Sequence, residues 1–453
     1  MTTNVRAPLP VAAALFTGAL GTYALISPPE WYGAFAASSR QLQSWLSAIP
    51  TAVAIGTIVA VLAYWALQRT ATTRPAWVTA AVATAALIAI RFAVHGAADV
   101  DVLTLLHYGK CIAAGILLGA TVAAAWARPI PRLALVIASA STLVLAHGAR
   151  AGWSPSTSTL GEPSWWILVP ALVLALACAV TATTSDEPSR TPAEVAGAIA
   201  VAALTLAGAH RLLGSWIDSP DGSRFRLWVV IGISLVLVVV LTELWARRLD
   251  APFLFAATAV AAAVPFVATV LWQESLQQIA WAVVAVGIAA VTAGMLAAPR
   301  LPSPVVGPAV LAVIPLWTLI DPTPSTGVGL LVVELAVLGV GIGLTLGATL
   351  PDVGGLAVLG LVVPLLSLVF TTVVDITTRF ETSTAFVPDH SAFHLYAALE
   401  IPADTSVPFS DDITFDRLAA AALLLVVVFC GFALRPRRSV DEVEFPEAGE
   451  DES

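Results

Sequence analysis

The stretch from Leu227 to Leu244 reads LWVVIGISLVLVVVLTEL and decides the fold class. Glu243 is its only charged residue, and its apolar residues do not alternate with polar ones. Strands of membrane β-barrels alternate in that way, so this run indicates a helix. A helix needs roughly 20 apolar residues to cross the hydrocarbon core of a bilayer. The stretch is therefore predicted to be a membrane-spanning helix.

Similar runs fill the chain almost from end to end. Of its residues, 58% are hydrophobic and 11% are charged, whereas soluble domains carry about 25% charged residues. We expect an all-α, polytopic integral membrane protein with about 14 transmembrane helices, in a range of roughly 12 to 14. The predicted helices cover residues 9–26, 46–67, 76–95, 102–127, 131–147, 164–183, 193–213, 226–246, 252–272, 277–298, 304–320, 327–348, 353–375 and 417–434.

The arginines of the loops predict the orientation. Lys110 is the only lysine, and the remaining basic residues are arginines. Placing the N-terminus in the cytoplasm leaves more loop arginines inside than outside, with the densest group at 435–438 directly after the last span. Such asymmetry near helix ends sets membrane orientation. We therefore expect both termini in the cytoplasm. A chain rich in Ala, Val and Arg indicates a prokaryote, so the expected location is a prokaryotic plasma membrane.

Two domains of very different composition are predicted. Residues 1–438 form the transmembrane helical domain, whose longest loop, 376–416, lies on the outer side and is acidic. Residues 439–453 form a charged tail that is poor in apolar residues. Such composition cannot support a packed core, so the tail is expected to be disordered and cytoplasmic.

Three prolines suggest that the chain contains weak internal repeats. Pro265, Pro315 and Pro364 each lie near the middle of a predicted span, at spacings of 50 and 49 residues. A tandem array of helical hairpins would explain this spacing, and matched kinked helices mark binding sites in many transporters. Chance similarity between Ala-, Val- and Leu-rich spans is the alternative, in which the prolines only kink their helices.

The histidines and the charged residues within the predicted spans indicate where a polar site lies. All six histidines fall on the predicted outer side, and charges inside a membrane usually pair or line water. An outward-facing pocket between the third and fourth helices would hold most of the buried charges, with Lys110 paired to an acidic residue. The alternative is that the long cationic side chains reach the headgroups. The candidate pocket residues are Arg91, His95, Asp99, Asp101, His107, Lys110 and Glu334.

The long outer loop offers a second candidate site. Its side chains could act as general acid or base, or, less favourably, hold a metal through a pair of histidines four residues apart. The outer-loop candidates are Asp389, His390, His394 and Glu400. The three cysteines form no CxxC pair, so no thiolate metal site is expected. No pattern identifies a cofactor, and no phosphate-binding glycine loop or nucleic-acid motif is present.

Known families give little guidance. The loop 68–74 lacks the glycine-rich Asp-Arg pattern of major-facilitator carriers, and only one helix follows the large loop, unlike O-antigen ligases and polymerases. The favoured hypothesis is a permease or flippase-like transporter for a small amphiphilic or neutral solute, in contact with the lipid bilayer. The alternatives are an outer-leaflet enzyme of the lipid-linked glycan transfer type, or a scaffold subunit with partners in a membrane complex.

Overall fold

The computed structural model describes the parts of the chain that form the helices and their short connections. The described residues are 8–27, 39–95, 99–145, 160–182, 188–217, 224–271, 280–301, 303–320, 328–367 and 413–435. Most of the outer loop 376–416 and the tail 439–453 lie outside these ranges, as do Asp389, His390, His394 and Glu400. The predictions made for them stay predictions.

The described residues form fourteen helical segments. Six of the segments are long and apolar enough to cross a membrane, and most others are shorter apolar helices. The all-α, polytopic membrane class is thereby confirmed, and the apolar run from Leu227 to Leu244 lies within α8. The segments are α1 Pro8–Ile26, α2 Ser39–Leu67, α3 Arg74–Val94, α4 Val100–Ala125, α5 Pro129–Leu145, α6 Trp165–Thr181, α7 Ala193–Ile217, α8 Arg224–Arg248, α9 Pro252–Leu271, α10 Ala280–Ala297, α11 Val306–Ile320, α12 Val328–Gly347, α13 Gly354–Ser367 and α14 Ile413–Ala433.

Local sequence explains where several helices begin. Pro8, Pro129 and Pro252 are the first residues of α1, α5 and α9. Proline suits this position because its fixed φ matches the helix and the first N–H groups have no partner within the helix. At the start of α4, the Asp99 carboxylate accepts a hydrogen bond from the Asp101 amide at 3.2 Å. These residues fix where the four helices begin.

The helices pack as two similar groups of six. Within the first group, α1 contacts α4, α5 and α6, α4 contacts α2 and α3, and α3 contacts α6. The second group repeats these contacts eight helices later, since α9 packs on α12 and α14, α12 on α10 and α11, and α11 on α14. The α1–α5 contact recurs between α9 and α13, where Ser367 donates to Ala261 O at 3.0 Å. We call α1–α6 the first repeat and α9–α14 the second repeat.

Small residues form the same helix pair in both repeats. A Cβ added at Gly115 of α4 would collide with the backbone of Gly56 in α2, and one at Gly119 would collide with Ala60 O. In the second repeat, Gly343 of α12 is equally close to Val291 O in α10. Small residues four apart let two membrane helices approach until their backbones touch. The sequence pattern Gly-x-x-x-Gly therefore fixes the α2–α4 and α10–α12 pairs.

Two equivalent helix pairs are among the contacts between the repeats. In one, α5 packs on α10, with Leu145 against Gly287. In the other, Gly354 at the start of α13 lies against the ring of Tyr64 in α2, since a Cβ there would be 2.8 Å from it. In the repeat, α2 corresponds to α10 and α5 to α13, so the α5–α10 pair corresponds to the α2–α13 pair. Successive membrane helices alternate in direction, so helices eight positions apart run in the same direction. Repeats related by an axis along the membrane normal have this property.

Helices α7 and α8 lie between the repeats in the chain. α7 packs on α2, and α8 packs on α7 and α9, so together they connect the two groups of six. The Tyr64 hydroxyl is 3.0 Å from both Ser189 O and Thr191 Oγ1, just before α7. Trp126 Nε1 donates to Pro351 O at 3.1 Å, which joins the end of α4 to the start of α13. At the predicted inner ends, these contacts join the first repeat to the segment before α7 and to the start of α13.

One of the three matched prolines interrupts its helix. α11 is broken at Ala312, between segments Val306–Leu311 and Val313–Ile320. Pro315 has no N–H to donate to the carbonyl four residues earlier, which weakens the helix at this point. The side chain of Pro265 lies outside the described residues, and Pro364 is buried within α13. A duplication of single hairpins stays a prediction beside the six-helix repeat.

Candidate functional site

The ammonium group of Lys110 is buried at the predicted outer ends of the first-repeat helices. Its side chain is 1% exposed, and its Nζ donates to Ser27 O at 2.8 Å and to Leu160 O at 2.6 Å. Ser27 follows α1, whereas Leu160 lies just before α6. A buried cation is tolerated when hydrogen-bond acceptors replace its water. Lys110 therefore joins α4 to two other elements and is held inside the protein.

Arg91 contacts the same segment from the neighbouring helix α3. Its Nη1 donates to Pro163 O at 2.5 Å, and its guanidinium carbon lies 5.2 Å from the centre of the Trp165 ring. The residue is 8% exposed. Arginine over an aromatic face gains from the ring quadrupole. Both cations thus bind backbone oxygens of residues 160–163, which we call the strap.

The strap carries a buried carboxylate that the sequence analysis did not select. Glu162 is 4% exposed, and its Oε1 accepts a hydrogen bond from the Leu160 amide at 3.1 Å. Gly161 between them has φ 62°, a left-handed conformation that glycine adopts without strain. A signal was available, because Glu162 is the only acidic residue between the predicted fifth and sixth spans. It lies in a loop by sequence, and only the tertiary structure buries it.

His107 lies one turn before Lys110 on α4. It is 1% exposed, and its ring is 6.0 Å from that of Trp45 on α2. Its Nε2 is 3.8 Å from Cys111 Sγ, and its Nδ1 is buried with no hydrogen-bond partner among the described residues. A buried nitrogen without a hydrogen-bond partner is uncommon and needs an explanation, such as a functional role. His107 therefore belongs to the same buried cluster as Lys110.

The other predicted pocket residues of the α3–α4 turn are on the surface. His95 is exposed, and its Nδ1 donates to Arg91 O at 2.8 Å. Asp99 and Asp101 are exposed at the start of α4, where the carboxylate of the first caps the helix. The structure thus brings Arg91, His107 and Lys110 together beneath the strap and leaves the remaining three at the rim. A shared outward-open pocket stays a prediction.

Glu334 occupies the position in the second repeat that matches Lys110 in the first. Superposing the Gly115-x-x-x-Gly119 pattern of α4 on Gly339-x-x-x-Gly343 of α12 aligns Lys110 with Glu334. Glu334 is half-buried on α12, beside the buried Leu335. The two repeats therefore place opposite charges at one equivalent depth. Both residues are candidates for one pocket by sequence, and only the structure relates them as equivalent positions of two repeats.

The described residues contain no group of three His, Cys, Asp or Glu side chains that could hold a metal ion. The chemistry available in this part of the protein is instead electrostatic. Two cations and one carboxylate lie buried at one end of a membrane-length helix group. Charges of this kind are costly in a bilayer and usually serve binding or transport.

The known proteins that this chain resembles are solved structures. No protein-family profile and no curated protein matches the sequence. A solved structure of a bacterial homolog of the human lysosomal transporter Spinster, in an inward-facing and unoccupied conformation, aligns with 97% of this chain and 100% of its own. The two are 15% identical, and the TM-score is 0.42. At that score the likeness carries no argument about fold or function.

Proposed function

We propose that the protein is a permease or flippase-like transporter that moves a small amphiphilic or neutral solute across the membrane. The observation that carries the proposal is the pair of six-helix repeats, α1–α6 and α9–α14, with matched contacts. Parallel repeats of this kind occur in secondary transporters, whose binding sites lie between them. Transport proceeds there by motion of one repeat against the other.

The contacts between the repeats suit such a motion. Among the described residues they join α2 to α13 and α5 to α9, α10 and α12, with a few hydrogen bonds at the predicted inner ends. Within each repeat, by contrast, backbones touch through glycines. Stiff groups joined by a thinner interface move as rigid bodies. The buried charges of the first repeat then lie at the outer end of the path.

A cross-link between the repeats tests this proposal. Tyr64→Cys with Gly354→Cys, in a chain whose native cysteines are replaced by alanine, joins α2 to α13 by a short bifunctional maleimide. Liposomes report flux with two probes: dithionite accessibility of an NBD-labelled phospholipid, and uptake of radiolabelled glucose. We expect cross-linking to lower the flux of a transported probe by about tenfold or more, since closure of one end blocks alternating access.

The matched control joins two helices of one repeat. Pro308→Cys with Gly431→Cys links α11 to α14, where a Cβ at residue 431 would be 3.3 Å from Pro308 Cβ. This link should leave flux unchanged. Flux no greater than in protein-free liposomes for both probes, or an α2–α13 cross-link without effect, would contradict the proposal.

Two substitutions and one deletion test the site and the alternatives. Lys110→Gln and Glu334→Gln should each alter flux. Unchanged flux in both variants would contradict the hypothesis of a shared pocket. Deleting residues 385–405 separates the alternatives, because an outer-leaflet enzyme would lose its acid–base candidates whereas a transporter would keep most of its flux. Co-purification of stoichiometric partners in mild detergent would favour the scaffold hypothesis.

A further inference from the structure

The strap occupies the hydrogen-bonding groups of two buried cations. Lys110 Nζ binds Leu160 O at 2.6 Å, and Arg91 Nη1 binds Pro163 O. Both acceptors are neutral backbone carbonyls. An ionised oxygen adds direct charge attraction to such a bond, and it can accept two parallel bonds from a guanidinium. A carboxylate or phosphate oxygen is therefore a stronger acceptor for either cation than a backbone carbonyl of the strap.

Charge balance points in the same direction. The cluster holds two positive charges, from Arg91 and Lys110, and the strap brings one negative charge, the 4% exposed Glu162. Movement of the strap away from α3 and α4 would remove this carboxylate and leave both cations in the membrane without the carbonyls of Leu160 and Pro163. Such a pair is costly unless an anion replaces the carboxylate. The strap thus resembles a tethered anionic ligand.

The surface beside the cluster suits the apolar part of an amphiphile. Phe92 is 65% exposed and Trp166 is 87% exposed, next to Arg91 and Trp165 respectively. The rings of Phe92 and Trp165 lie 5.5 Å apart. In a membrane these side chains face acyl chains, and aromatic residues favour the headgroup region. An acyl chain can lie against this surface while its headgroup reaches the cations, an arrangement that a free inorganic anion does not need.

We propose that Arg91 and Lys110 form a binding site for the anionic headgroup of an amphiphile, which the strap 160–163 covers in this structure. The site rests on the proposed function for its biological role, because it names the substrate class of the transporter. Headgroup oxygens replace Leu160 O and Pro163 O, and the strap with Glu162 moves into the headgroup region. Basic sites between membrane helices are known to bind anionic lipid headgroups.

Hydrogen exchange of the strap tests the proposal without measuring transport. The full chain is placed in nanodiscs of phosphatidylcholine alone, or of phosphatidylcholine with phosphatidylglycerol, and exchange of a peptide covering residues 160–166 is followed by mass spectrometry. A third arm adds inorganic phosphate to phosphatidylcholine discs. We expect phosphatidylglycerol to speed exchange by about tenfold, because ligand binding shifts the population towards the released strap. Phosphate alone should have no effect.

Three variants change the expected lipid retention, one upwards and two downwards. Glu162→Gln removes the competing charge, so it should raise retention of phosphatidylglycerol in native mass spectrometry several-fold. Lys110→Gln and Arg91→Gln should each abolish that gain. Arg132→Gln is the matched control, since Arg132 is a cation at the opposite end of the helices, paired with Asp352.

Three outcomes would overturn the inference. One is equal exchange in both lipid mixtures, and another is unchanged lipid retention in Glu162→Gln; this variant keeps the test valid if Lys110→Gln fails to fold. An effect of inorganic phosphate equal to that of phosphatidylglycerol would assign the site to free anions. Lipid binding without flux in the cross-linking assay would instead contradict the proposed function and leave the site in place.

Discussion

The first repeat, α1–α6, and the second repeat, α9–α14, pack their helices in the same pairs but carry different charges. Glycines four residues apart bring α4 against α2 and α12 against α10. At the matched position one turn further out, the first repeat has Lys110, buried and bound to carbonyls, whereas the second has Glu334, half-buried. Close packing is therefore common to both repeats, and the charged cluster is particular to one. Architecture and chemistry in this protein are encoded by different residues.

The largest expected effect concerns the packing that the repeats share. Gly115→Val in α4 and Gly343→Val in α12 place side chains against backbone atoms of the neighbouring helix, which can move only if the helices separate. We expect each to lower the free energy of unfolding by about 3 kcal/mol or more, since overpacking costs at the upper end of its range when backbone is in the way. The variants are heated in detergent, and the fraction of protein that remains monodisperse is measured at each temperature.

Gly208→Val in α7 is the control for these changes, because a Cβ at Gly208 meets no atom within 4 Å. It should remain close to the unchanged chain in stability. If only one of the two repeat variants were destabilised, the repeats would not be equivalent in packing. If neither differed from the control, glycine contacts would not fix these helix pairs.

The next effect separates the two matched charges. Lys110→Gln leaves Ser27 O and Leu160 O without their buried donor, because the shorter side chain cannot reach both. We expect a loss of about 1–3 kcal/mol, the usual range for unsatisfied buried polar groups. Glu334→Gln keeps the size of a half-buried side chain and should cost less. Chemical unfolding of both variants in the same detergent decides the order, and equal losses would mean that burial does not distinguish them.

A smaller effect is expected at the junction between the repeats. Tyr64→Phe removes hydrogen bonds to Ser189 O and Thr191 Oγ1, which should cost about 1 kcal/mol. Because these bonds join α2 to the segment before α7, the loss should also increase labelling of Thr191→Cys by a membrane-impermeant maleimide. Thr318→Val, which removes a bond within a single helix, is the control. Unchanged labelling would show that Tyr64 does not hold the inner ends together.

The smallest effect is expected at the surface. Arg132 and Asp352 form an ion pair of 3.3 Å in which the aspartate side chain is 99% exposed. Exposed pairs contribute little, and salt screens what remains. Arg132→Gln should therefore leave the melting temperature unchanged at both low and high salt. A clear loss at low salt alone would show that this pair contributes to the junction between α5 and the start of α13.

The sequence by itself determined the secondary structure of this protein. The positions of the helices follow from long apolar runs, because a backbone in lipid must satisfy its hydrogen bonds internally. Because charges within such runs stand out, it also selected Arg91, His107 and Lys110 as pocket candidates, together with His95, Asp99, Asp101 and Glu334. Only the structure separates the first three, which are buried, from His95, Asp99 and Asp101, which are exposed.

Only the tertiary structure decided which helices pair, that the chain repeats every eight helices, and that Glu162 is buried against the cluster. These features depend on contacts between residues far apart in the chain, such as Lys110 with Leu160 and Gly354 with Tyr64. In a membrane, apolar surface does not choose between partners, because lipid is as apolar as leucine. Close backbone approach and buried hydrogen bonds make that choice, and both are properties of the assembled helices.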